Sequence, residues 1–127
     1  MTENEIATIV VDAAFKIHKT LGPGLFESVY EAALRYELQK RGLMVVQQRG
    51  IPVRYDGLNL GFGFRVDLLV NNKVILEVKS VEALAAVHKM QLTTYLRLMD
   101  LRLGLLINFN VELIRNGIRR VVNQFVE

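Results

Sequence analysis

Apolar positions along the chain change period several times, and each change marks an element. From Glu3 to Leu21 they fall at Ile6, Ile9, Val10, Ala13, Ala14 and Ile17. That is helical spacing with one buried stripe. Gly22-Pro23-Gly24 ends it, because proline and two glycines break a helix. A second helical pattern runs from about Phe26 to Arg41, with Val29, Ala33 and Leu34 as its apolar side and Tyr30 and Leu38 beside them. Gly42 is placed to cap its C-terminus. Leu43 to Tyr55 then reads as extended chain interrupted near Gly50 and Pro52, and Asp56-Gly57 is a hairpin-turn dipeptide. Phe62–Val70 and Val74–Val78 read as strands around Asn71-Asn72. Helical spacing returns from Glu82 to Met99, carried by Leu84, Val87, Leu92, Tyr95 and Leu96. Arg102 to Phe109 is a nearly continuous apolar run that suits a buried strand. Ile114 to Val122, with Asn116-Gly117, fits either a hairpin or a strand after a short turn. The pattern predicts a mixed α/β fold with a central sheet.

Composition sets the class. A chain of 127 residues, 51% hydrophobic and 23% charged, fits one globular domain over residues 1–127 and argues against intrinsic disorder. With no cysteine there are no disulfides, zinc ribbons or thiol chemistry. The N-terminus, Met1 to Glu5, is acidic, unlike the basic start of a signal peptide. No apolar run approaches the roughly 20 residues of a membrane span. A soluble cytoplasmic protein that makes no membrane contact is the expectation. The net charge of +3 is compatible with a nucleic-acid partner without specifying one.

The candidate chemistry lies in the middle hairpin. Asp67 is an acid inside the largely apolar stretch Phe64–Val70, and Glu77, within Ile75-Leu76-Glu77-Val78-Lys79, follows ten residues later. Side chains alternate along a strand, so Glu77 and Lys79 share a face. If the loop is the three residues Asn71-Asn72-Lys73, Val70 pairs with Val74 and Asp67 comes opposite Glu77. A two-residue loop would put Asp67 opposite Leu76 instead. Two facing carboxylates repel unless one takes a proton or a cation lies between them. A hard divalent ion held by oxygen ligands is one resolution. With Lys79 one pleat along, these are the parts that metal-dependent phosphodiester hydrolysis requires. Alternating charges on a strand also mark a plain solvated sheet face.

Asp67 followed across a hairpin by Glu77-Val78-Lys79, with a helix on either side, resembles the PD-(D/E)XK nuclease superfamily. Gly24-Leu25-Phe26-Glu27-Ser28-Val29-Tyr30 is similar to the signature of its GxxExxY branch, and the likeness continues through Ile17–Gly24, Val87–Gln91 and Tyr95-Leu96. The resemblance implies a restriction-endonuclease-like α-β-β-β-α-β core with a central mixed sheet flanked by helices, plus an extra N-terminal helix. It implies that Asp67 and Glu77 bind Mg²⁺ or Mn²⁺ and that Glu27 is the helical acid reaching the metal. Lys79 then resembles the lysine that assists the attacking water, and Gln91 and Tyr95 the glutamine and tyrosine of the post-motif helix. Val66 stands where the motif has proline.

Other readings stay open at these positions. Glu27 sits in the first turn of its helix, where the dipole favours any acid. Tyr30 fits core packing, and His18 and His88 fit either buried hydrogen-bonded or surface roles. Arg115, Arg119 and Arg120, with Lys40, Arg41, Arg49 and Arg54, fit either a phosphate-tracking surface or ordinary solvated charge. No flavin, haem or nucleotide-cofactor fingerprint is present, and Gly22-Pro23-Gly24 lacks the rest of a P-loop. The leading expectation is a metal-dependent nuclease acting on DNA rather than RNA. The alternative is a nuclease fold without catalysis, serving as a nucleic-acid-binding or protein-interaction module. A mean hydropathy of +0.25 also allows a homodimer or a partner protein.

Overall fold

Thr2 begins the first helix by capping it in both directions. Its hydroxyl accepts from the Glu5 N–H at 3.1 Å, and the Glu5 carboxylate accepts from the Thr2 N–H at 2.9 Å. The computed structural model describes residues 1–124, so the last three residues of the expected 1–127 domain lie outside the described part. Helix α1 spans Glu3–Leu21, as the periodicity predicts, and buries Ile6, Val10, Ala13, Ala14 and Ile17. Helix α2 spans Glu27–Lys40, and Gly42 follows it at φ 87°.

The buried stripe of α2 is rotated from the predicted one. Tyr30, Leu34 and Leu38 are fully buried, one helical turn apart, while Val29 is 41% exposed. Tyr30 fixes this phase. Its ring stacks on Phe109 at 4.4 Å, and its hydroxyl donates to the Gly22 carbonyl and accepts from the Leu25 N–H. The tyrosine is a core residue that also fastens the turn between the two helices.

Strands β1 (Val45–Tyr55) and β2 (Leu58–Val70) form a long antiparallel hairpin around Asp56-Gly57, whose φ angles of 50° and 78° suit a tight turn. The interruption expected at Gly50 and Pro52 is absorbed without ending the strand, as register shifts on either side of Pro52. Proline is tolerated because β1 is an edge strand. Strand β3 (Val74–Lys79) pairs antiparallel with β2, β4 (Leu103–Asn108) parallel with β3, and β5 (Ile118–Val122) antiparallel with β4. The result is one mixed sheet in the order β1-β2-β3-β4-β5. Ile114–Gly117 is a short 3₁₀ turn, so the last segment is a strand after a turn rather than a hairpin.

Helix α3 spans Ala86–Met99 and starts four residues later than its spacing predicts. The Asn108 side chain accounts for the delay: it accepts from the Val81 N–H and donates to the Val81 carbonyl, at 3.1 and 2.9 Å. That holds the chain extended before the helix can begin. Helices α1 and α2 cover one face of the sheet over Val74, Leu76, Val78, Leu105 and Ile107. Helix α3 covers the other, placing Leu92, Tyr95 and Leu96 against Ile75, Leu106 and Val121. The sequence expectation of an α/β fold with a mixed sheet flanked by helices and an added N-terminal helix holds. No helix among the described residues is long and apolar enough to cross a membrane.

Candidate metal centre

The site forms where β2 and β3 part. Their ladder pairs Val70 with Val74, Leu69 with Ile75 and Leu68 with Leu76, which is the register of the three-residue loop. Asp67 and Glu77 come next, and there the backbone pairing stops. The Val78 N–H donates instead to Asp67 Oδ2 at 2.8 Å. One carboxylate oxygen thus takes a place that a ladder carbonyl would otherwise fill.

Glu77 is 3% exposed, and its Oε1 is buried without a hydrogen-bond partner. Burial pushes its carboxyl up to about 9, helped by the Asp67 charge and a hydrogen bond to Asp67, with Lys79 pulling the other way. Without a cation, Glu77 therefore favours its protonated form at neutral pH. An orphaned buried oxygen beside a second carboxylate is a donor set that suits a hard divalent ion. Lys79 is half-buried at the end of β3, in register with Asn108 on β4.

Tyr95 reaches this pair from α3. Its ring stacks on Phe64 at 4.0 Å, and burial together with the negative charges of Glu77 and Asp67 pushes its hydroxyl up to about 12. It therefore remains a neutral hydrogen-bond donor through the physiological range. Gln91, one turn earlier on α3, is exposed.

Glu27 is placed differently. It is exposed in the first turn of α2 and lines a groove of about 520 Å³ with Gly24, Phe26, Ser80 and Asn110. Ser80 follows Lys79 directly, and its hydroxyl donates to the Leu25 carbonyl at 2.7 Å, so the groove opens at the end of β3. Among the described residues no three His, Asp or Glu side chains are grouped so as to hold a metal ion. Asp67 and Glu77 are neighbours on β2 and β3, and Glu27 forms no three-residue metal group with them.

The α2 carboxylate that does connect to the pair is Glu31, 9% exposed and not singled out in the sequence. Gln47 donates to it, and Gln48 Nε2 lies 3.0 and 3.2 Å from its two oxygens. The same nitrogen is 3.4 Å from Asp67 Oδ1. A signal for Glu31 existed: it lies four residues after Glu27, on the same helix face, beside the Tyr30 stripe.

Several of the remaining candidates have structural partners. His18 Nε2 is hydrogen-bonded to the Val111 carbonyl at 2.7 Å, and His88 Nδ1 accepts from the Ala85 N–H at 3.0 Å. Arg41 pairs with Asp12 and Glu37, Arg119 donates to the Asn116 and Ile118 carbonyls, and Arg120 donates to Asn4.

Compared with known families, residues 4–121 match the model of the PD-(D/E)XK nuclease superfamily. No curated protein and no solved structure matches the chain.

Proposed function

The chain belongs to the PD-(D/E)XK nuclease superfamily, and from that premise we propose that it is a metal-dependent nuclease of the cytoplasm that hydrolyses DNA phosphodiester bonds. The observation carrying this reading is the buried, unpartnered Glu77 Oε1 beside Asp67, with Lys79 two residues along the same strand. Asp67 and Glu77 would hold Mg²⁺ or Mn²⁺. The ion supplies charge stabilisation at phosphorus and lowers the pKa of water.

The protein's own groups do the rest. Asp67 is held in place by the Val78 N–H, so this carboxylate is positioned before any ligand arrives. The Lys79 ammonium offers positive charge to a phosphate oxygen and to the nucleophile approaching it. Tyr95 can donate a hydrogen bond without itself ionising. Glu27, Ser80 and Asn110 line the groove at the end of β3, where the substrate backbone would run, and Gln91 would meet it from α3. Gly24 to Tyr30 is read as the GxxExxY signature, with Glu27 acting at the groove.

A second reading, a nuclease fold that binds nucleic acid without cutting it, is supported by Glu27 lining the groove rather than forming a three-residue metal group with the acid pair. Incubation with single-stranded, double-stranded and nicked DNA, and with RNA, in Mg²⁺ or Mn²⁺ separates the two. Cleavage of DNA that disappears with a chelator and in Glu77→Ala is the expected result. Folded protein that binds Mn²⁺ and cuts nothing would establish the binding module instead, and preferential cleavage of RNA would overturn the DNA assignment.

A further inference from the structure

Gln48 has a backbone that its residue type disfavours. It lies within β1 at φ 53°, in the left-handed region where glycine or asparagine is usual. Its neighbours keep the ladder, Gln47 pairing with Leu68 and Arg49 with Val66, so Gln48 stands opposite Asp67. Its carbonyl accepts from Arg65 Nη1 at 3.3 Å. Non-glycine residues persist in such conformations where their surroundings over-determine them, and they cluster at functional sites.

The side chain shows what the conformation achieves. One amide nitrogen, with two hydrogens, lies within 3.0 and 3.2 Å of the Glu31 oxygens and 3.4 Å of Asp67 Oδ1. Asp67 in turn accepts from Val78. Glu31 is anchored independently through Gln47, which Arg35 also holds, at 2.8 Å. A run of hydrogen bonds therefore leads from α2 through β1 to the point where β2 and β3 part.

We propose that Gln48 is a positioning residue whose side-chain amide braces Asp67 against Glu31, and that its left-handed backbone exists to aim that amide. The inference rests on the metal reading of the Asp67–Glu77 pair for its consequence, but its geometry is a property of the metal-free protein. Outer-shell partners of metal ligands commonly matter for affinity because they fix the ligand's orientation. Gln48 is unusual in that backbone and side chain make opposite demands at one position.

That conflict gives the test. Gln48→Gly removes the amide and relieves the backbone, so the variant should melt no lower than wild type. In the metal-free protein, hydrogen exchange of the Val78 amide should nevertheless accelerate, about tenfold or more, while the other β3 amides stay as they are. Mn²⁺ affinity, by titration calorimetry, should fall by about tenfold or more. Glu31→Ala should reproduce both changes, and the double variant should lose no more than either single one.

Unchanged Val78 exchange in Gln48→Gly would overturn the proposal, as would losses in the two single variants that simply add. If wild-type protein fails to bind Mn²⁺, the metal reading falls, and the Val78 comparison still decides the role of Gln48.

Discussion

The two ends of the β1–β2 hairpin share one ladder and differ in almost everything else. At the base, Val66, Leu68, Leu69 and Val70 are buried and helices cover the sheet on both faces. At the tip, Tyr55, Leu58, Leu60 and Phe62 are each 59–66% exposed. Backbone pairing continues through both, so hydrogen bonding does not distinguish them; burial does. Only the base removes enough water to leave a carboxyl oxygen orphaned and to keep Glu77 protonated well above the usual range. A sheet supplies register along its whole length, but a low-polarity site arises only where both faces are covered.

The largest expected effect separates the two ends by activity. Glu77→Ala and Asp67→Ala should each lower DNA cleavage by at least about a thousandfold while the circular dichroism spectrum stays native. Leu60→Ser at the tip should retain the wild-type metal requirement. Loss of folding in the acid variants equal to their loss of cleavage would sink the assignment of those carboxylates to chemistry.

Next comes stability. Leu68 is fully buried between β1 and β3, so Leu68→Ala should cost about 2–5 kcal/mol in urea unfolding. Leu60→Ala, at 59% exposure, should stay within about 0.5 kcal/mol. Similar losses at the two positions would show that the tip is packed in solution.

How far the sequence reached follows the same division between local and long-range causes. The span of α1 is legible because its apolar residues keep helical spacing up to a Gly-Pro-Gly stop. The hairpin register, and with it the meeting of Asp67 and Glu77, is legible because a three-residue loop and period-2 alternation leave few choices. The phase of α2 is not, since it depends on Tyr30 finding Phe109, a residue 79 positions away. Nor is the late start of α3, which Asn108 imposes from another strand. The link between Glu31 and Gln48 escapes for a related reason: it crosses from helix to edge strand, and a left-handed glutamine leaves no mark on local composition.

The pH dependence of the metal-free protein is an effect confined to the base. The folded state keeps a proton on Glu77 up to about 9, whereas the unfolded chain releases it near 4.5. Stability from this group is therefore fully present below 4.5 and is lost as pH rises toward about 9. The melting temperature should fall across that window, and Glu77→Gln should flatten the fall. Mg²⁺ should reverse the trend by favouring the charged pair. A slope unchanged in Glu77→Gln would assign the titration to another group.

The smallest effect tests whether the tip contributes to the fold at all. Phe62 is 65% exposed, but its ring lies against Gly50 on β1, close enough that a side chain there would meet it at 3.0 Å. The Arg65 guanidinium stands 5.4 Å from the ring centre. Such a solvent-facing pair contributes about 0.5–1 kcal/mol. Phe62→Ala should therefore destabilise by no more than about 1 kcal/mol in urea, with Phe62→Tyr near neutral because it keeps the ring over glycine and arginine. A loss in Phe62→Ala as large as that of Leu68→Ala would make the tip part of the cooperative unit. The contrast between the two ends would then lie in chemistry alone, with no difference in packing behind it.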